Sequence, residues 1–230
     1  NDASIRIGLR LSKDETIVRM PFEVRHMGSK YPIFSFDFTG AKRGVLPASY
    51  DYLRLEGRMQ YRLNLPPIGY SQLMLEGGKI FGKVPYLLLK LHEGNGTYFY
   101  DRYAFSCMNF YEFSSDAWIS FFYEHHFNGF LLGRVPLLKK LNWREVFVFK
   151  GVYGTLSARN DGSLPNTKAV MLFPVGMSSV EHPYLETGFG IENIFRLLRV
   201  DCIWRLTHHR AVPGLSIPTF TVNFSLNLKF

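Results

Sequence analysis

Cysteine is nearly absent: Cys107 and Cys202 are the two in 230 residues, and neither belongs to a CxxC pair. That excludes a disulfide scaffold and leaves no zinc-ligand spacing. No run approaches the roughly 20 consecutive apolar residues of a membrane helix, so a helical membrane protein is excluded. The opening "NDASIRIGLRLS" has neither a basic first segment nor a long apolar core, so it does not read as a signal peptide. Charge is sparse, at 20% of residues, with a formal net charge of +8. The cations stand singly or in short clusters such as Lys42-Arg43 and Lys139-Lys140. Without a basic tail or a basic helix face, no nucleic-acid partner is expected.

The signatures of catalysis are missing as well. No serine sits in a GxSxG elbow. "EGNGTYFYD" carries Gly94 and Gly96, but a phosphate loop needs a strand before it and a helix after it, so it reads as a turn. His125-His126 and His208-His209 are adjacent pairs. Neighbours on a strand face opposite ways, so neither pair chelates one metal. Glu112, Asp116 and Glu124 share a strand face at spacings that suit pairing with arginines better than acid-base work. The chain is expected to be no enzyme and to carry no metal or cofactor.

What is abundant is aromatic residues, with 21 Phe and 13 Tyr, set on a period of two. In "LRLEGRMQYRLNL", Leu53, Leu55, Met59, Tyr61, Leu63 and Leu65 alternate with Arg54, Glu56, Arg58, Gln60, Arg62 and Asn64. "LLRVDCIWRLTH" sets Leu198, Val200, Cys202 and Trp204 against Arg199, Asp201 and Arg205. "TFTVNFSLNLKF" alternates without a slip to Phe230. Such alternation predicts strands. Ten are expected, at about 3–12, 16–25, 31–40, 50–65, 69–82, 112–127, 142–157, 184–192, 198–209 and 219–230. Pro21 argues for an edge or a bulge in the second, and in 142–157 both faces are apolar. "KVPYLLLKLHEG" has room for one helical turn.

Connections alternate in length. "HMGSK", "PPIG" and "NIFRL" are short, whereas residues 83–111, 158–183 and 210–218 are long or irregular. The tight "KDE" turn is the exception. Short turns at one end and long loops at the other mark an outer-membrane barrel. Opposite charges interleaved on the polar faces suit a lumen, where they pair across strands. The expected fold is therefore all-β, an antiparallel transmembrane outer-membrane β-barrel, as one domain over residues 1–230. Its lumen-lining charges are Arg54, Glu56, Arg58 and Arg62, then Asp116, Glu124, Glu186 and Glu192, then Arg199, Asp201 and Arg205. Tyr61, Tyr70, Tyr123, Phe127 and Trp204 are candidate girdle aromatics. A soluble β-rich binding module and a pore with an arginine-rich lumen are the alternatives.

The stretches "FSCMNFYEFSSDAWISFFYEHHFNGFLLGRVPLLKKLNWREVFVFKGVYG" and "YLETGFGIENIFRLLRVDCIWRL", with "HMGSKYPIFSFDF" and "GGKIFGKVPYLLLKLHEGN", carry a resemblance over essentially the whole chain. They resemble the C-terminal barrel of a Bacteroidetes-type outer-membrane family that has a domain-of-unknown-function label. Its full-length members add a carboxypeptidase-regulatory-like domain at the N-terminus. That family is similar to the BamA/surface-antigen outer-membrane superfamily. The resemblance implies a Gram-negative outer-membrane location, and that these strands are the last part of a sixteen-stranded barrel lacking its N-terminal strands and periplasmic domain. It implies work in membrane-protein assembly, translocation or envelope structure, with outer-membrane lipid, the barrel-assembly machinery and periplasmic or client proteins as partners. It also implies that the long loop folds into the lumen. Where the superfamily has an Arg-Gly pair this chain has "DRYAF", which puts insertase chemistry in doubt and leaves Arg102 to meet Asp116 or Glu124. Phe224, Leu226, Leu228 and Phe230 match the C-terminal assembly signal of outer-membrane proteins.

Overall fold

Residues two apart on a strand share a face, so a sheet built from the alternating segments has one apolar and one charged side. The computed structural model describes residues 3–20, 22–45, 47–163, 168–210 and 216–226, and builds such a sheet. Its strands in chain order are β1 (Ile5–Leu11), β2 (Thr16–Arg19), β3 (Val24–Gly28), β4 (Ile33–Ala41), β5 (Tyr52–Asn64), β6 (Tyr70–Gly82) and β7 (Lys90–Leu91). They continue with β8 (Phe113–Ser115), β9 (Ala117–His126), β10 (Arg144–Thr155), β11 (Ser178–Ser179), β12 (Tyr184–Ile194), β13 (Leu198–Arg205) and β14 (Phe220–Leu226). Nine of these form one sheet in the order β1-β4-β5-β6-β9-β10-β12-β13-β14. Every neighbouring pair is antiparallel, so the sheet is a meander in chain order. β1 and β14 stand at its two ends, and no strand pairing joins them among the described residues.

Register fixes the faces. The pairs Leu9↔Phe36, Phe38↔Leu55, Phe147↔Phe189 and Val200↔Phe224 gather apolar side chains on one side. That side is open: Ile7, Phe189 and Leu226 are 65%, 60% and 63% exposed. Asp37↔Glu56, Arg58↔Glu76 and Lys150↔Glu186 lie on the other side, which the segment after β6 covers from β6 to β14 and leaves open over β1, β4 and β5. There Lys150, Glu186 and Asp201 have no exposed surface. A water-soluble sheet buries its apolar face and exposes its charges; this one does the reverse.

The apolar core lies between the covering segment and the charged face. Met74, Phe122, Val152 and Tyr184 of the sheet meet Phe105, Met108 and Phe113. The Phe105 ring lies 5.1 Å from Phe122 and 5.4 Å, edge-on, from Tyr184. A second cluster joins Ile80 and Trp118 to Val84 and Leu89. The two apolar faces of β10 now have a reason. Val146 and Val148 lie on the covered side opposite Gly190 and Gly188, which leave space for them. A Cβ on Gly190 would stand 2.1 Å from a carboxylate oxygen of Asp201. Glycine at 190 therefore lets the Asp201 side chain lie across β12.

Four expectations are corrected. Residues 16–25 are not a crossing strand: β2 and β3 form a separate two-stranded hairpin inside the connection from β1 to β4. Pro21 lies outside the described residues. With 12–32 a single connection, "KDE" no longer breaks the alternation of ends. Connections 12–32, 65–69, 127–143 and 195–197 share one end of the sheet; 42–51, 83–116, 156–183 and 206–219 share the other. The strand expected over 112–127 is split at Asp116 into β8 and β9, and β8 joins β7 and β11 in a three-stranded sheet. β13 stops at Arg205, short of residue 209; His208 takes left-handed backbone at φ 59°, and the Arg205 guanidinium donates to the carbonyls of Thr207 and His208. Tyr70 is no girdle residue: it lies on the covered side, stacked 4.5 Å from His126. One turn of 3-10 helix, Tyr86–Leu88, occupies the "VPYLLLK" stretch. Among the described residues no helix is long and apolar enough to cross a membrane.

Candidate functional site

The distinctive local construction is the docking of residues 97–112 onto the charged face. A loop this long carries many backbone N–H and C=O groups that burial would leave unpaired. Strand side chains answer them by charge. The Glu186 carboxylate accepts the N–H groups of Ser106 (2.8 Å) and Cys107 (2.7 Å), and the Tyr184 hydroxyl at 2.6 Å. The Lys150 ammonium, directly across the β10–β12 ladder, donates to the carbonyls of Asp101 (2.7 Å) and Ala104 (2.6 Å). It also sits 4.5 Å from the centre of the Tyr100 ring. An acid thus holds the loop's donors and an adjacent cation holds its acceptors.

Flanking pairs complete the clamp. Glu124 on β9 accepts Arg102 Nε at 2.7 Å, Arg199 Nη2 at 3.0 Å, and the Tyr100 hydroxyl. Arg199 also donates to Asp201 at 2.7 Å. Arg205 donates to Glu112 (2.5 Å) and to the Cys107 carbonyl (3.2 Å). At the outer edge of β14 the loop runs alongside as a parallel bridge. Tyr100 N–H donates to the Phe224 carbonyl and Phe224 N–H to the Tyr98 carbonyl, both at 2.7 Å, and the Asn223 amide donates to the Thr97 carbonyl at 3.0 Å. The terminal strand's backbone is thereby partly satisfied by the loop.

Arg102, assigned to the inward loop on sequence, meets Glu124 and not Asp116. Asp116 instead accepts the N–H of Ser157 (3.0 Å) and the Asn160 amide (3.0 Å), and so ties two long connections together. Glu192 lies toward the other end, with its carboxylate 3.2 Å from His126 Nδ1. His125 faces the opposite way, bonded to the Ser71 hydroxyl and the Ile68 carbonyl. Arg54 pairs with Glu56 at 2.7 Å, and Arg58 with Glu76 at 2.7 Å. Arg62 stacks on the Tyr70 ring, 4.1 Å from its centre. Phe224 and Leu226 lie on the open face; Leu228 and Phe230 lie outside the described residues. Lys150 and Tyr100 are central members absent from the sequence-based set. Lys150 was hidden because apolar residues surround it on both strand phases.

Two buried loop groups sit in neutral states. Burial, with Lys90 nearby, pushes the His92 imidazole down to about 3, and its Nε2 lies 2.9 Å from the Ser115 hydroxyl. Burial first, and then Glu186, pushes the Cys107 thiol up to about 12. Among the described residues no group of three His, Cys, Asp or Glu side chains is placed to hold a metal. Beside His92 a cavity of about 250 Å³ opens between loop and sheet, with Arg58, Glu76, Lys90, Asp101 and Tyr103 in its walls.

Residues 1–158 match the family model for the C-terminal domain of a family of unknown function, DUF5686. The chain belongs to that family. No curated protein gives a significant match. The DUF5686 match takes in Arg102, Glu124 and Lys150 but stops before β12, β13 and β14. Glu186, Arg199, Asp201 and Arg205, which close the clamp, therefore lie beyond the matched span, narrower than the whole-chain resemblance expected from sequence.

Proposed function

We propose that this DUF5686 domain is an integral outer-membrane β-barrel of the surface-antigen type, acting without catalysis in outer-membrane protein assembly, translocation or envelope structure. One observation carries the reading: the sheet is inverted, with an aliphatic and aromatic face in the open and the charges of its β6–β14 part buried. An exposed apolar face of nine strands is unfavourable in water and favourable against acyl chains. Ion pairs and loop backbone satisfy the covered side, as a barrel interior requires. The relation to the BamA superfamily, the missing N-terminal strands and the periplasmic domain belong to the same proposal. Its partners are outer-membrane lipid, the assembly machinery that receives the last strand, and periplasmic or client proteins.

Within this reading the docked loop makes the barrel plugged. The cavity beside Arg58 favours a second version, a narrow pore, because it leaves part of the interior unfilled. Reconstitution of the full-length protein separates the possibilities. Insertion into vesicles with little steady conductance supports the plugged barrel. A large anion-selective current supports the pore. A protein that stays soluble and folded without detergent or lipid would remove both and leave a soluble binding module.

A further inference from the structure

The end of the sheet that bears the shorter connections carries a second construction, which the loop clamp does not use. Residues 127–144 contain Arg134, Lys139, Lys140 and Arg144 and no acidic residue, and the 195–197 turn adds Arg196. The two segments are fastened together: the Asn193 amide donates to the Asn142 carbonyl at 2.7 Å. The flanking acids are engaged: Glu145 accepts the Leu132 N–H, and Glu192, across the ladder from Arg144, lies 3.2 Å from His126 Nδ1. Arg134, Lys139, Lys140 and Arg196 are exposed, and so are the apolar side chains interspersed among them: Leu131, Val135, Leu141, Phe195 and Leu197. Phe195 and Arg196 occupy left-handed backbone, at φ 50° and 67°, which bulky residues disfavour. The turn holds an aromatic ring and a guanidinium outward in that conformation. Other connections mix signs at both ends, as with Lys13, Asp14 and Glu15 at this end and Lys42, Arg43 and Asp51 at the other.

We infer that this platform binds the phosphodiester headgroups of anionic phospholipids at the rim of the bilayer. The inference rests on the barrel reading. Two features select lipid as the occupant. The platform continues directly from the ends of β9, β10, β12 and β13, whose open face is apolar, so bilayer touching that face also reaches the platform. Cations interspersed with exposed apolar side chains suit an interface where headgroups and acyl chains are both within reach. The cations are then counter-charges for the headgroup phosphates, and Phe195 and Leu197 reach the acyl boundary. Each Lys or Arg near an anionic surface strengthens partitioning roughly fivefold.

The test compares insertion of the full-length protein into phosphatidylcholine vesicles with and without added phosphatidylglycerol. Taking the ratio of the two within each variant cancels any folding defect. At low salt the wild type, with four exposed platform cations, should partition several hundredfold (roughly fivefold per cation) better when phosphatidylglycerol is present, with the advantage shrinking as salt screens the charges. Lys139→Gln/Lys140→Gln/Arg196→Gln should lower the ratio about a hundredfold, to the roughly fivefold that Arg134 supplies, and leave insertion into pure phosphatidylcholine unchanged. Lys42→Gln/Arg43→Gln, at the opposite end, should keep the wild-type ratio. A wild-type ratio near one, or a control that lowers it as much per charge, overturns the inference; the first result would leave an acidic protein surface as the occupant. Failure to insert into either vesicle would instead sink the barrel reading, and this inference with it.

Discussion

The charged face has two halves built on different terms. Under the loop, from β9 to β14, acids and cations are fully buried and each has several partners: Glu124 holds two arginines and a tyrosine, and Glu186 holds two backbone N–H groups and a hydroxyl. From β1 to β5 the same alternation produces simple pairs, Arg6 with Asp37 and Arg54 with Glu56, and Arg58 remains half exposed beside the cavity. One strand chemistry therefore gives a rigid clamp where a loop seals it and a loose, solvent-touched surface where none does. Removing one member of a buried network leaves uncompensated charge, whereas an exposed pair is worth little.

The largest effect is expected at Glu124. Glu124→Gln strands Arg102 and Arg199 and should cost about 3–5 kcal/mol, read as a lower denaturant midpoint of the reconstituted protein. A change under about 1 kcal/mol would mean that the clamp contributes little. Next come the faces of β4. Phe36→Arg, on the open apolar side, should cost about 2–4 kcal/mol in a bilayer, and Ser35→Arg, on the charged side of the loose half, much less. Equal penalties would show that the two sides of the sheet are not in different media.

A different kind of effect follows pH. The His92 imidazole sits at about 3 when folded, against an unfolded value of about 6.5. Between those values the unfolded chain binds more protons, so this group's contribution is complete above about pH 6.5 and is lost as pH falls toward 3. The slope should approach about 1.4 kcal/mol per pH unit, and His92→Gln should flatten it relative to wild type. An unchanged acid limb in the variant would mean that the loop does not bury a neutral imidazole. The smallest effect belongs to the loose half: Arg58→Ala should cost no more than about 1 kcal/mol, and a cost near that of Glu124→Gln would erase the distinction between the halves.

Sequence showed the sheet more fully than the clamp, for physical reasons. β4, β5, β13 and the described part of β14 were legible because every second residue is apolar and the intervening ones are polar. The four-residue β2 is too short for alternation to tell a crossing strand from a local hairpin. The polar faces of β5 and β13 could be listed from the same period, including Arg54, Arg58, Arg199, Asp201 and Arg205. What Glu186 and Lys150 hold could not, since their partners are backbone groups of a loop some 40 to 80 positions away in the chain. Arg102 had two acids in view, and only the path of the loop chooses Glu124 over Asp116.

The central claim is that the apolar face meets lipid and the charged face does not. Single nitroxide labels placed in turn at residues 34 to 38 of β4, in the full-length protein reconstituted into bilayers, test it most directly. Collisions with oxygen, which concentrates in the acyl region, should be high at Phe34, Phe36 and Phe38 and low at Ser35 and Asp37. Collisions that do not alternate, or that favour a water-soluble quencher at all five positions, would contradict the membrane assignment of this sheet.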